Sequence, residues 1–331
     1  MTAFALFAIS AAAIYFACEF FVNGIEWLGR RLNVGAIAVG SVLAAFGTAL
    51  PESVVTFTAV VLRGSAARKD LGVGAAMGGP LVLATVAYAV VGATLVLNRG
   101  RRGRPARTAR VDRARLTRDQ GTFLWVFAVK VGLGLVAFAF KPWLGWLFVA
   151  VYALYVRREI RDGGGASYEV ELEPLRIRPS ASASLGWAAL QVLLSLAAIG
   201  VASQVFVAQI GSIGAAWGWP PHLVALLLSP IATELPETMN AVIWVRRGHE
   251  ALALANISGS MMVQATIPSA LGIFFTPWRF DTTLLASGVV TALAVAYLRG
   301  LFRRGEVDGR ALVAVSALYA LFAMSLAAGF A

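Results

Sequence analysis

Phe46-Gly47-Thr48-Ala49-Leu50-Pro51-Glu52-Ser53 sets a proline and a glutamate side by side within an apolar run. Ala232-Thr233-Glu234-Leu235-Pro236-Glu237-Thr238 repeats the pattern in the second half of the chain. A carboxylate in hydrocarbon costs at least about 2.5 to 3.5 kcal/mol on insertion scales, so each glutamate is expected to face protein or water and to have a partner. The prolines indicate what kind of partner. Pro51 has no N–H to give the carbonyl of Gly47, and Pro236 has none for the carbonyl of Ala232. Freed carbonyls, a threonine hydroxyl and a carboxylate at one helix break are hard oxygen ligands suited to a cation.

The composition places these stretches in a membrane. The chain has 331 residues, of which 59% are hydrophobic and 14% charged, against about 25% charged in soluble domains. Its mean hydropathy is +0.76. The net charge of +11 does not indicate nucleic acid here, because basic residues of membrane proteins collect in cytoplasmic loops. The single cysteine, Cys18, excludes an intrachain disulfide. The first apolar run lacks a basic leader and is followed by Glu26, Arg30 and Arg31, so it reads as a retained span.

Apolar runs able to cross about 30 Å of hydrocarbon at ~1.5 Å per residue lie near 3–22, 34–62, 71–97, 121–140, 142–156, 185–209, 221–245, 250–274, 282–298 and 311–330. A charged segment at 157–184, containing Gly163-Gly164-Gly165, divides these ten spans five and five. The expected fold is an all-α integral membrane protein of ten transmembrane helices. Its halves are 1–156 and 185–331, joined by a cytoplasmic linker over 157–184.

Loops after odd-numbered spans hold 22 Lys and Arg, those after even-numbered spans hold 5, and Lys130 lies within the fourth span. That asymmetry predicts cytoplasmic odd-numbered loops and two extracytoplasmic termini in a cell inner (plasma) membrane. With five spans per half, the second half enters from the opposite face. Pro51 and Pro236, each in the second span of its half, are then related by inversion and can meet near the midplane. One span later, Gly74-Ala75-Ala76-Met77-Gly78-Gly79-Pro80 is echoed by Ala255-Asn256-Ile257-Ser258-Gly259-Ser260-Met261.

On these residues the chain resembles the cation/calcium exchanger superfamily, in particular bacterial sodium:calcium antiporters. The family's two inverted alpha-repeats each pair a G-T-S-L-P-E break with a G-N-x-x-G-S-N-x-x-N stretch; here the repeats fall at about 34–97 and 221–274. Carried over by position, the resemblance implies that Glu52 and Glu237 share a divalent ion. It also implies that Thr48, Thr233 and Ala45 offer hydroxyl or carbonyl oxygens to sodium, and that Ser260 is the serine of the second stretch. The chain departs from the pattern at Gly79, Pro80 and Leu83, where the family has a serine and two asparagines. Further departures are Met261 and Gln264 for two asparagines, Pro230 for an alanine and Glu234 for a serine. The divalent site is preserved better than the sodium sites.

Other residues carry weaker signals. Glu234 lies three positions before Glu237, roughly on the same helical face, and joins the ion-pathway candidates. Asn240 and Asn256 fit ligands and interhelical hydrogen bonds equally well. Lys130 suggests a partner such as Glu19 or a snorkelling stem. The glycines of 72–79 fit close helix packing rather than a phosphate loop. His222 and His249 make no metal-ligand spacing, and Arg99–Arg118 reads as a solvated cytoplasmic loop with anionic-lipid contact as a second possibility.

The function expected is secondary antiport, with Ca²⁺ exported in exchange for Na⁺ or H⁺ by alternating access. A proton-driven cation antiporter of altered selectivity and a transport-inactive membrane scaffold stand beside it. No enzyme activity or cofactor is expected. The expected partners are the lipid bilayer and inorganic cations, with no nucleic acid and no obligate protein partner.

Overall fold

The computed structural model describes residues 2–35, 38–57, 61, 66–98, 108–163, 172–179, 184–216, 218, 227 and 229–329. The chain is a helical membrane protein. Among the described residues, six helical stretches are long and apolar enough to cross a bilayer: Ala3–Arg31, Val73–Leu97, Leu185–Phe206, Glu250–Phe275, Thr282–Phe302 and Gly309–Ala327. Side chains such as Trp125 (77% exposed) and Leu193 (64%) point outward, as lipid-facing positions require. The spans expected at 34–62 and 221–245 fall partly outside the described residues.

In chain order, α1 covers Thr2–Arg31. A π-helical stretch, Val39–Ala44, runs into α2, Ala45–Phe57. Next come α3, Ala66–Val82, a second π-helical stretch, Leu83–Ala87, and α4, Tyr88–Leu97. Strand β1, Thr108–Arg110, precedes α5, Arg113–Leu135, and a 3₁₀ turn at Lys141–Leu144 leads into α6, Gly145–Gly163. The second half holds α7, Leu185–Ala216; the short α8, Ser229–Thr233; α9, Leu235–Arg247; and α10, Glu250–Phe275. It ends with α11, Thr282–Phe302, strand β2, Glu306–Asp308, and α12 and α13, Gly309–Ala314 and Ser316–Ala327.

Helix ends follow local chemistry. Asp112, Asp281 and Asp308 accept N-terminal N–H groups of α5, α11 and α12 at 3.0, 2.8 and 2.8 Å, filling donors that helix geometry leaves open. Gly248 ends α9 at φ 93°, in the left-handed region where glycine carries no Cβ penalty.

The chain divides into two compact units, Met1–Thr48 with Val156–Gly259, and Ala49–Tyr155 with Ser260–Ala331. In the first, α1 packs along α7 and against α9 around Phe21, Val22, Trp27 and Trp244. The segment at 172–179 belongs to this core, since Leu175 is fully buried with Trp27 and Ala188. Glu173 accepts from the Trp27 indole at 2.9 Å through its carbonyl. The end of the expected linker is thus packed chain, held because its apolar leucine finds a pocket and its carbonyls find donors.

The second unit has α11 against α3 and α5, α4 against α12, and the pair β1–β2, joined antiparallel with Ala109 opposite Val307. This ribbon and the start of α5 depart from the expected solvated loop and all-α fold. Arg115 and Asp119 are buried, and Arg118 pairs with Asp119 at 3.5 Å. Residues 99–107 and His222 lie outside the described residues. At the 3₁₀ turn, the Lys141 ammonium donates to the carbonyls of Val136, Pro277 and Trp278 at 2.7, 3.0 and 2.8 Å, tying two chain turns together.

Candidate functional site

The second Pro-Glu stretch is a helix break. Helix α8 ends at Thr233, Glu234 takes φ −86° and ψ 3°, and α9 starts at Leu235. The break has a covalent cause: Pro236 cannot donate to Ala232. The carbonyl of Pro230 accepts from the Glu234 N–H at 3.0 Å and the Thr233 hydroxyl at 3.1 Å, and that of Glu234 accepts from the Thr238 N–H and hydroxyl at 3.1 and 2.8 Å. Cys18 of α1 approaches the Pro236 carbonyl, sulfur to oxygen 3.7 Å. The carboxyl-bearing side chains of Glu234 and Glu237 are both buried, at 0% and 1% exposure.

Helix α10 lies behind this break. It is buried almost continuously from Leu252 to Ala270, yet it carries Asn256, Ser258, Ser260, Gln264, Thr266 and Ser269. Polar groups of this density inside a membrane protein require partners or an ion. The Asn256 amide donates to the Glu237 carbonyl at 3.3 Å. The Oδ1 of Asn256, the hydroxyl of Ser260 and both amide atoms of fully buried Asn240 have no hydrogen-bond partner among the described residues.

The first Pro-Glu stretch is built differently. Helix α2 runs through Pro51, and the irregularity sits upstream in the π-helical turns of Val39–Ala44. Such turns leave backbone oxygens off the regular ladder and recur at functional sites. Ala45 and Thr48 are buried in α2, and the Thr48 hydroxyl donates to the Ala44 carbonyl at 3.0 Å. Thr233 makes the matching bond to Pro230. In both threonines the hydroxyl hydrogen is committed to the backbone and the oxygen lone pairs remain to accept, which is what a cation ligand needs. The Glu52 side chain lies outside the described residues.

The π turns pack directly on α10. A Cβ on Gly40 would lie 2.9 Å from the Leu252 carbonyl, and one on Gly259 would overlap the Ser41 carbonyl. The glycine of the second echoed stretch therefore sets the approach of Ser41 to α10. Ser41 in turn donates to the Glu159 carboxylate at 2.8 Å, and Glu159 is fully buried. Nothing in the sequence marks Glu159, because Arg157-Arg158-Glu159-Ile160-Arg161 reads as a solvated charged face. A second missed carboxylate, Glu26, accepts from the Trp244 indole at 2.8 Å and lies 3.6 Å from Arg247 and 3.7 Å from His249.

In the second unit, Gln264 is buried and its backbone carbonyl is the one freed by Pro268; the Ser269 hydroxyl lies 3.5 Å from it. Among the described residues no group of three or more His, Cys, Asp and Glu gathers at one point. The oxygens at the Glu234 break of the first unit belong to carbonyls, hydroxyls and carboxylates, types that suit hard cations better than zinc or copper.

A family model described as sodium/calcium exchanger protein matches residues 2–160 and 187–328. Among curated relatives, the candidate antiporter CaxA of Alkalimonas amylolytica is 27% identical over 310 residues, covering 90% of this chain and 89% of its own. The inner membrane protein YrbG of Escherichia coli is 24% identical, covering 94% of this chain and 92% of its own. Among solved structures, the sodium-calcium exchanger NCX_Mj superposes with a TM-score of 0.76 at 18% identity, covering 99% of this chain and 98% of that one.

Proposed function

This chain belongs to the sodium/calcium exchanger protein family, and on that premise we propose that it is a secondary antiporter exporting Ca²⁺ in exchange for Na⁺ or H⁺. It is a membrane transporter and not an enzyme. The observation that carries the reading is the helix break at Glu234, which sets two buried carboxylates, Glu234 and Glu237, beside backbone carbonyls and the Thr233 hydroxyl.

In this reading the ten spans form two inverted five-span halves, and Glu52 joins Glu237 at the midplane with Thr48, Thr233, Glu234, Ala45, Ser260 and Gln264 around them. Two carboxylates neutralise one Ca²⁺. Loaded with Ca²⁺ or with its counter-ions, the site can switch access. Bare carboxylates hold it back, because carrying uncompensated charge through a low-dielectric barrier is unfavourable. Coupling follows from that difference between states.

Glu234 supports a second reading, a proton-driven antiporter. It gives the site a third carboxylate, whose extra charge suits a proton or a sodium ion. Purified protein in proteoliposomes loaded with Ca²⁺ distinguishes the readings. Efflux driven by external Na⁺ supports the first and efflux driven by a pH gradient the second; no efflux under either gradient sinks both and leaves a scaffold. The charge asymmetry between loops supports a reading in which both termini lie outside the cytoplasm. A C-terminal reporter active only in the cytoplasm would overturn that orientation and the inverted halves with it.

A further inference from the structure

Pro80 lies inside α3 and, having no N–H, cannot bond the carbonyl four residues back, that of Ala76. A carbonyl freed in this way inside a membrane helix is an acceptor that an ion, a water or a side chain must fill. In this protein the Nζ of Lys130, from α5, donates to the Ala76 oxygen at 2.5 Å. Lys130 is fully buried, and its ammonium also lies 5.2 Å from the centre of the Phe127 ring, an arrangement that favours a cation. The helices around it are close-packed: a Cβ on Gly288 of α11 would come within 3.2 Å of Val131 and 3.4 Å of Met77. Trp278 seals the same region, its indole donating to the Lys130 carbonyl at 3.1 Å.

The position of this contact is informative. Ala76 and Pro80 belong to the stretch of the first half echoed by Ala255–Met261, and this copy offers Gly79, Pro80 and Leu83 where a cation would need side-chain oxygens. A stretch that has lost neutral ligands has here gained a positive charge on its freed carbonyl. In the second half the carbonyl freed by Pro268, that of Gln264, has the Ser269 hydroxyl 3.5 Å from it.

We propose that the Lys130 ammonium is a built-in substitute for a mobile cation at the Pro80 break, so that this half of the protein takes up one monovalent ion fewer per cycle. The inference rests on the reading of the protein as a cation antiporter, and it makes Lys130 a residue that sets ion stoichiometry without being a ligand.

The test needs no transport. Full-length protein in detergent is melted in NaCl and in choline chloride of equal ionic strength, as wild type, Lys130→Arg and Lys130→Gln. Glutamine can still donate to the Ala76 carbonyl but brings no charge. The expected result is an Na⁺-specific rise in Tm for Lys130→Gln that exceeds those of wild type and Lys130→Arg by about 3 °C. Equal Na⁺ responses in the three proteins would overturn the proposal, leaving the ammonium as a filler of one backbone hydrogen bond. If Lys130→Gln cannot be isolated folded in choline chloride, recovery of folded protein in NaCl supports the proposal, and loss in both salts overturns it. Because melting is read and not flux, failure here is distinguishable from failure of the antiport reading.

Discussion

The side-chain amide of Asn256 donates to the backbone carbonyl of Glu237 at 3.3 Å, both groups being buried. Helix α10 thereby holds the first turn of α9 just past its break, and the glutamate's position depends on a residue from the next span. Replacing Asn256 with Leu removes one buried hydrogen bond, worth about 1 kcal/mol, and should lower Tm by about 2 to 4 °C. If the bond positions Glu237, the rise in Tm caused by Ca²⁺ should shrink as well. An unchanged Ca²⁺ response would make Asn256 a packing residue only.

Glu52→Gln and Glu237→Gln should each abolish Ca²⁺ flux in proteoliposomes while leaving insertion and the melting profile in the absence of Ca²⁺ nearly unchanged. Glutamine keeps the shape and the hydrogen-bonding capacity, so what is lost is half of the charge that balances a divalent ion in a low-dielectric site. Transport at wild-type rate by either variant would show that the carboxylates serve structure.

Gly259→Ala probes the approach of α10 to the π turns. Its Cβ would overlap the Ser41 carbonyl, which is backbone and cannot rotate away. Overpacking of this kind costs about 1 to 3 kcal/mol. The strain falls on the segment leading into Ala45 and Thr48, so flux should fall more than stability. Ser41→Ala is the companion, since it leaves the buried Glu159 without a 2.8 Å donor and should destabilise by about 1 to 3 kcal/mol. Chemical denaturation of the two variants reads stability, and Ca²⁺ flux in proteoliposomes reads transport.

The parts of this architecture legible in sequence were those with local causes. Apolar runs fix spans, and proline next to glutamate announces a freed carbonyl beside a charge, as at Glu234. Where the cause lay far along the chain, sequence was silent. Lys130 invited pairing with Glu19, yet Glu19 accepts from Tyr15 at 3.0 Å and Arg176 at 2.8 Å, while Lys130 serves a carbonyl 54 residues away. Glu159 looked solvated because its neighbours are arginines, yet it is buried and accepts from Ser41, 118 residues earlier. The π turns at Val39–Ala44 likewise contain no proline and no charge to mark them.

Glu234 offers the sharpest test of coupling. It is fully buried at the break, three residues before Glu237, so a divalent ion and protons compete for neighbouring carboxylates. A carboxylate must be deprotonated to bind metal, and binding releases whatever protons it displaces. Apparent Ca²⁺ affinity in wild type should therefore fall as pH is lowered. Glu234→Ser removes one competing proton site and restores an uncharged oxygen ligand; its affinity should fall less steeply with acidification, and its flux should depend more on Na⁺. The measurement is Ca²⁺ flux against pH for the two proteins, with and without a Na⁺ gradient. Superimposable pH profiles would place Glu234 outside the coupling machinery and leave sodium as the driving ion.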